Sequence, residues 1–296
     1  MMNTARPRQS VLLNFDDSAG QPVDCLDIDL SAWQEKIRFA CKWSSFNDLQ
    51  QYLQPRLPAV DQLGCVLMGS GDYHHLTQLL LSRHALHRPL HVIVCDNHPD
   101  NMRYPFGIHC GSWVYWASRL PQVARIDVIG MNSSDIGWKH AWENHCTALM
   151  RGKLHYWSVQ QSASWLAWIG AKKSWHGFES ADELMQSFCN DMDRTCDVYL
   201  SIDKDVFSEQ VVRTNWDQGQ FLEQHVMDLI QACQQRLVGA DITGDVSAYH
   251  YVSRFKRLLS ASDGQSEPDA AEVLQWQVEQ KALNQRLVQA IDRAWR

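Results

Sequence analysis

The stretch Val92-Ile93-Val94-Cys95-Asp96-Asn97-His98-Pro99-Asp100 decides the fold prediction. Its first four residues are apolar and mostly β-branched, which predicts a buried strand. The strand runs into three potential metal ligands at alternating positions, Asp96, His98 and Asp100. If extended geometry continued past Cys95, the period of two would place these side chains on one side. The alternative is a polar turn with accidental spacing, and this stretch alone does not separate the two.

A second apolar run, Val198-Tyr199-Leu200-Ser201-Ile202, also ends in alternating acids, Asp203 and Asp205. Lys204, between them, is expected to point to the opposite side. Two carboxylates this close resist ionising together unless a cation or a base stabilises them. Two strands that both end in aligned acids are most simply explained by one shared cation site. Carboxylates with an imidazole suit divalent manganese, iron, cobalt or zinc.

A third stretch, Gly64-Cys65-Val66-Leu67-Met68-Gly69-Ser70-Gly71-Asp72-Tyr73-His74-His75, predicts a strand, a glycine-rich turn and the start of a helix. The glycines permit a tight turn, and the two histidines at the helix start offer a further ligand. The glycines also resemble a phosphate-binding loop. This stretch, however, has neither the P-loop lysine followed by Ser or Thr nor the full dinucleotide fingerprint.

Taken in order, the three stretches resemble the ureohydrolase family, which includes arginase, agmatinase and formimidoylglutamase. The segment 70–74 resembles the family's Gly-Gly-Asp-His turn with Tyr73 inserted. The segment 96–100 is similar to its Asp-Ala-His-x-Asp motif, and 201–205 is similar to its Ser-Phe-Asp-x-Asp motif. The resemblance implies an α/β protein with a three-layer αβα arginase-like fold and a central, mostly parallel sheet.

The resemblance also implies two divalent metal ions, manganese in that family, that share a bridging hydroxide. Two cations lower the pKa of a shared water and so provide hydroxide near neutral pH. Asp96 and Asp203 would bridge the ions. His75 is the alternative to His74 as a ligand, because the Tyr73 insertion could shift the ligand by one position. The complete predicted ligand set is His74, Asp96, His98, Asp100, Asp203 and Asp205.

Two further residues are candidates for catalysis. His109 lies in Gly107-Ile108-His109-Cys110-Gly111, which resembles the family's Gly-Asn-x-His-Gly loop, and would move protons; an ordinary loop histidine is the alternative. The family's substrate-binding Glu follows the last strand, but here Gly244 takes its position. Asp245, one residue along, is the candidate replacement.

The substrate pocket departs from that of arginase in other ways. The residues with which arginase reads the amino-acid head of its substrate are not apparent, so arginine is not the expected substrate. The segment 214–219 follows the second acidic motif and could line the pocket with Trp216 and Asp217. A guanidino substrate held against Trp216 is therefore expected.

Composition excludes several classes of partner. The chain has 296 residues, with 27 basic and 34 acidic side chains and a net charge of −7, which gives no reason to expect nucleic acid or an anionic membrane. No apolar run approaches the roughly 20 residues that span a bilayer. Nine cysteines are scattered without a Cys-x-x-Cys pair, which indicates a reducing, cytoplasmic setting.

Alternating strands and helices predict a single domain over residues 1–296, with a parallel sheet covered on both faces. The ligands would then lie at the carboxyl ends of the strands. Further element predictions are helices over 74–88, 133–145 and 269–295, a short strand over 165–169 and a surface loop over 260–268.

The leading function is metal-dependent hydrolysis of a non-peptide carbon–nitrogen bond in a small guanidino or formimino molecule. One alternative is a zinc-dependent amide deacetylase, which the paired His74 and His75 loosely suggest. The other is a non-catalytic metal-binding protein, which the missing glutamate supports. A homo-oligomer is compatible with the sequence.

Overall fold

The computed structural model describes residues 8–22, 24–86, 88–254, 256–257 and 269–295. Its strands are β1 (Gln9–Asn14), β2 (Leu26–Asp29), β3 (Ala40–Cys41), β4 (Leu63–Leu67), β5 (Leu90–Cys95), β6 (Ile108–His109), β7 (Val123–Met131), β8 (Leu154–Val159), β9 (Trp175–Phe178), β10 (Asp197–Asp203) and β11 (Leu237–Thr243). Its α-helices are α1 (Gln34–Ile37), α2 (Trp43–Leu53), α3 (Leu76–Ser82), α4 (Trp113–Ser118), α5 (Cys146–Met150), α6 (Ala181–Asp191), α7 (Glu223–Ala232) and α8 (Ala270–Ala294).

Nine strands form one sheet in the order β2-β1-β4-β11-β10-β5-β7-β8-β9, and every neighbouring pair is parallel. Strand β5 is buried on both faces. Val92 and Val94 enter one core with residues of α2, α3 and α4, whereas Ile93 and Cys95 enter the other with residues of α6, α7 and α8. Because side chains alternate along a strand, one apolar run supplies both cores. The predicted three-layer α/β fold is confirmed, and its main sheet is wholly parallel.

The sheet order brings the predicted ligands together. Strands β4, β11, β10, β5 and β7 are consecutive neighbours at its centre. Because parallel strands end at the same edge, the segments that follow β4, β5 and β10 meet there. These segments are the three that carry the acidic and histidine motifs.

Three element predictions differ from the structure. The predicted helix over 133–145 is two 3-10 helices, Ser134–Ile136 and Trp138–Glu143, with Gly137 between them. The predicted strand over 165–169 is wrong, because Ser164–Ala167 is a 3-10 helix whose buried Trp165 donates Nε1–H to Ile136 O at 2.8 Å. The helix predicted over 74–88 is shorter in the structure, where α3 runs over Leu76–Ser82 and follows a 3-10 helix, Gly71–Tyr73.

The long terminal helix is confirmed as α8, and Asp269 caps it by accepting the N–H groups of Ala271 and Glu272. The predicted loop over 260–268 lies outside the described residues. Within the described part of the chain, no helix combines the length and the apolar character needed to cross a bilayer.

Candidate metal centre

The turn after β4 separates the two neighbouring histidines. Tyr73 is fully buried and stacks on Phe15 with ring centroids 4.0 Å apart, so the inserted residue belongs to the core. His75 is also buried, and its Nε2 lies 3.9 Å from the Cys41 thiol. His74 lies instead among the acids at the carboxyl ends of the central strands. The structure thus places His74, rather than His75, beside the other predicted ligands.

Three carboxylates surround one nitrogen of the His74 ring. Its Nδ1 lies 3.0 Å from Asp100 Oδ2 and 3.3 Å from the Oδ2 atoms of both Asp96 and Asp203. The other ring nitrogen, Nε2, lies 3.0 Å from Ser201 Oγ. A histidine that binds a metal commonly donates its second N–H to an oxygen that fixes the ring. Nδ1 would therefore be the ligand atom, with Nε2 held by Ser201.

Further hydrogen bonds hold this anchor in place. Ser201 donates to Asp241 Oδ1 at 2.7 Å, and the Tyr199 hydroxyl donates to Asp241 Oδ2, also at 2.7 Å. Burial raises the pKa of Asp241. On the opposite side of the cluster, Trp113 donates Nε1–H to Asp100 Oδ2 at 2.6 Å. These partners restrict the rotation of the candidate ligand side chains.

A second group forms around His98. Its Nδ1 lies 2.9 Å from Asp205 Oδ2 and 3.7 Å from Asp96 Oδ1. Its Nε2 lies 2.7 Å from Asp217 Oδ1, and Asn97 donates to Asp217 Oδ2 at 3.1 Å. Asp217 thus orients the His98 ring, as Ser201 orients the His74 ring, which is the arrangement expected for a histidine that binds a metal.

The residues Asp96, His98 and Asp100 reach one cavity through a tight turn. Strand β5 ends at Cys95, and the His98 backbone N–H donates to Asp96 Oδ1 at 2.7 Å. Asp100 has a φ of 44°, in the left-handed region. Extended geometry therefore does not continue past Cys95, although all three ligand candidates line the same cavity.

Asp203, the last residue of β10, contacts both groups. Its Oδ2 faces His74, and its Oδ1 accepts the backbone N–H of Asp205 at 3.2 Å. Lys204 between them lies on the other side of the chain, as the alternation predicts, because its Nζ donates to the buried carboxylate of Asp245.

The buried acids of this centre resist ionising together. Burial, with Asp96 close by, raises the pKa of Asp100 to about 7. Burial, with Asp203 and Asp96 nearby, raises the pKa of Asp205 well above its usual range. Burial acts on Asp96 in the same direction, but the nearby imidazoles of His74 and His98 hold its pKa well below the usual range. Bound cations would remove the repulsion between these carboxylates.

The donor set suits two divalent cations. Ligand atoms of His74, Asp96 and Asp100 lie within 4.8 Å of one another, and so do those of Asp96, His98 and Asp205. Asp96 is common to both groups, and its Oδ2 is buried without a hydrogen-bond partner among the described residues. Imidazole and carboxylate ligands are those that manganese, iron, cobalt and zinc accept.

A cavity of about 490 Å³ opens over these groups, which is a volume suited to a small molecule. His109 lines it, and its Nδ1 accepts the Gly111 N–H at 2.9 Å. Burial lowers the pKa of His109 to about 4. Trp216 also lines the cavity; a Cβ on Gly71 would lie 3.2 Å from its indole nitrogen, so glycine lets the ring approach the ligand turn.

The candidate substrate acid Asp245 lies elsewhere. It is buried against Lys204 and accepts a hydrogen bond from Asn284 Nδ2 at 3.0 Å. It is not among the described residues that line the cavity. Gly244, at the family's glutamate position, has a φ of 90°, and a Cβ there would overlap Asp203 Oδ1. This position does not suit the substrate-binding role predicted for Asp245.

Sequence reasoning missed other residues of the site. His140 and Glu143 line the cavity, and Ser201 and Asp241 anchor His74. A histidine and a glutamate three residues apart are common on solvated helices, so their spacing is not a specific signal. Ser201 belongs to the second acidic motif, 201–205. Its place opposite Asp241, however, follows only from the register in which β10 pairs with β11.

The wholly parallel nine-stranded sheet, with ligands at its carboxyl edge, defines an arginase-like α/β fold. The chain is similar to proclavaminate amidino hydrolase from Streptomyces clavuligerus, with a TM-score of 0.57 and 15% identity over 97% of this chain and 94% of that chain. It is similar to arginase from Bacillus subtilis, with a TM-score of 0.56 and 14% identity over 96% of this chain and 98% of that chain. A Trypanosoma cruzi formiminoglutamase structure with Mn²⁺ gives a TM-score of 0.54 and 12% identity over 92% and 77% of the two chains.

These likenesses confirm the predicted resemblance to the ureohydrolases at the level of the fold. Among curated proteins, the chain matches an uncharacterized protein of Thermotoga maritima at 24% identity over 201 residues. That match spans 65% of this chain and 65% of the relative's length. No family model matches the chain.

Proposed function

We propose that this chain is a metal-dependent hydrolase of non-peptide carbon–nitrogen bonds, acting as one domain on a small guanidino or formimino molecule. One observation carries the proposal: four buried carboxylates and two imidazoles converge on the floor of one cavity. The fold neighbours, which include an amidino hydrolase and a formiminoglutamase with Mn²⁺, support it. The nine cysteines are free thiols, which supports a reducing, cytoplasmic setting.

Each ion would have its own histidine. His74 and Asp100 would hold one ion, His98 and Asp205 the other, and Asp96 with Asp203 would contact both. Two bound divalent cations, manganese in our proposal, lower the pKa of a shared water and supply a nucleophile near neutral pH. Four ligand carboxylates balance the charge of two divalent ions, which makes this donor set electrically neutral when loaded.

His109 would move the proton to the leaving nitrogen. Its Nδ1 accepts a backbone N–H and therefore carries no proton, so the neutral ring is protonated at Nε2. Because burial lowers its pKa to about 4, the ring is neutral at pH 7. Nε2 is thus the atom that would exchange protons with substrate. Trp216, in the cavity wall, would pack against the planar reacting group.

The metal assignment is tested by loading purified protein with manganese, removing free ions and measuring bound metal. We expect roughly two ions per chain. Asp203→Ala should lose both, because Asp203 contacts both groups, whereas Asp205→Ala should weaken mainly one. Asp228→Ala, on the exposed face of α7, is the control and should keep both. Unchanged metal content in Asp203→Ala would refute the assignment.

The activity is tested by screening the loaded protein for urea, ammonia and formamide release from guanidino, amidino and formimino compounds. Arginine should be a poor substrate. Two bound ions without hydrolysis of any compound would favour a non-catalytic metal-binding protein. One bound zinc with release of acetate from an acetylated amine would favour the deacetylase alternative.

A further inference from the structure

One wall of the cavity is built by the 3-10 helix Trp138–Glu143. Side chains three residues apart eclipse each other in a 3-10 helix. His140 and Glu143 therefore share one face, and both line the cavity. His140 Nδ1 lies 3.2 Å from each carboxylate oxygen of Glu143, so the two side chains hold each other in position.

This wall is fixed to the loop that follows the ligand Asp100. The Arg103 N–H donates to Glu143 O at 2.8 Å. Asn144 donates to His140 O at 3.1 Å and accepts the Tyr156 hydroxyl at 2.7 Å. The same hydroxyl accepts Asn101 Nδ2 at 2.8 Å, and Asn101 directly follows Asp100. The backbone at Glu143 is therefore tied to the loop after Asp100 by hydrogen bonds, two of which, those of the Tyr156 hydroxyl, are buried.

The charge balance in this cavity is one-sided. Two divalent ions would neutralise the four candidate ligand carboxylates, which leaves Asp135, Glu143 and Asp217 as further lining acids. Asp217 already accepts the Nε2–H of His98. None of the described lining residues is a lysine or an arginine. A substrate carboxylate at this wall would meet no lysine or arginine. A substrate cation would meet carboxylates.

We infer that Glu143, positioned by His140, determines specificity by binding a second cationic group at the end of the substrate away from the scissile bond. This inference rests on the proposed function and narrows its substrate class. The class is guanidino or amidino compounds whose distal end is an ammonium or similar cation. Compounds with a distal carboxylate are rejected by repulsion, because like charges at an interface oppose binding.

The test compares two probes of similar length on the manganese-loaded protein, agmatine with a distal ammonium and 4-guanidinobutyrate with a distal carboxylate. Their dissociation constants are measured by calorimetry. The native protein should bind agmatine at least about tenfold more tightly, the ratio for one hydrogen bond between charged groups. Glu143→Gln should reduce that ratio by about tenfold or more without changing bound manganese.

Glu279→Gln, on the exposed face of α8, makes the same charge change as a control and should keep the native ratio. Equal affinity for both probes, or tighter binding of 4-guanidinobutyrate, overturns the inference and leaves the proposed function standing. An unchanged ratio in Glu143→Gln with a loss in Asp135→Asn also overturns it, because the subsite would then be Asp135. If neither probe binds and no metal is retained, the proposed function fails, and this inference fails with it. The native comparison needs no variant, so a folding defect in Glu143→Gln does not remove the test.

Discussion

Lys204 and Asp245 form a fully buried ion pair directly behind the metal centre, and the pair provides the sharpest test of the packing. The Lys204 ammonium donates to Asp245 and, at 2.9 Å, to Asn284 Oδ1 on α8. Asn284 Nδ2 in turn donates to Asp245 Oδ1 and, at 3.0 Å, to Ala19 O. The pair thereby links the strand end that carries Asp203 to the terminal helix.

Removing one partner leaves the other as an uncompensated buried charge, which costs about 3–5 kcal/mol in the free energy of unfolding. Asp245→Asn and Lys204→Met should each lose that amount. Burial lowers the pKa of Lys204 and raises the pKa of Asp245, so the charged pair carries its own desolvation cost. The double variant removes both charges and should therefore lose far less than the sum, with a coupling energy of at least about 3 kcal/mol.

Unfolding by guanidinium chloride, followed by circular dichroism on metal-free protein, measures all four states of this cycle. The exposed bidentate pair Arg286–Glu223 is the control, because its oxygens lie 2.7 and 2.8 Å from the guanidinium but remain accessible to water. Its coupling energy should stay below about 1 kcal/mol. Additive effects at Lys204 and Asp245, or single losses below about 1 kcal/mol, would refute the reasoning.

Two further predictions concern the histidines. His74→Ala should reduce manganese affinity more than His75→Ala in a metal titration, because only His74 faces the acids; the reverse order would move the ligand to His75. The folded-state pKa of His109, about 4, lies below its usual 6.5, so its stabilising effect is complete above pH 6.5 and is lost as pH falls toward 4. Between pH 7 and pH 4 the native protein should therefore lose about 3 kcal/mol more of its free energy of unfolding than His109→Phe does. Equal pH dependence in denaturant titrations of both proteins would contradict this.

The sequence predicts the parts of the molecule that depend on local pattern. The apolar runs of β5 and β10 end in acids, and parallel strands carry their ends to one edge, so a parallel sheet and the meeting of the candidate ligand segments follow from the pattern. The arginase-like form of that fold is what the resemblance to the ureohydrolases implies. The fold prediction is confirmed by the sheet and by the structural neighbours. The ligand roles of the individual residues stay predictions, although the structure brings them together.

Contacts between distant segments are not readable in the same way. The stretch 133–145 has the polar and apolar spacing of a helix, but Gly137 interrupts it. Hydrogen bonds from the Arg103 N–H to Glu143 O and from the Tyr156 hydroxyl to Asn144 Oδ1 hold the end of the segment in a tighter 3-10 form. The apolar run at Trp165 predicts a strand, but the Trp165 indole N–H donates a hydrogen bond to Ile136 O. In both cases tertiary hydrogen bonds override the local pattern.

On the proposed function, Gly244 at the position of the ureohydrolase glutamate implies that a substrate-binding acid would come from a different part of the cavity. Any side chain at 244 would overlap Asp203 Oδ1, and its φ of 90° is one that residues with a Cβ rarely adopt. A glutamate there would require the chain after β11 to move away from Asp203. The next residue, Asp245, is already committed to Lys204. On the proposed function, a cationic substrate would therefore meet its carboxylate elsewhere in the cavity, at Glu143, so substrate selection would lie in the 3-10 segment rather than in the strand ends proposed to hold the metal.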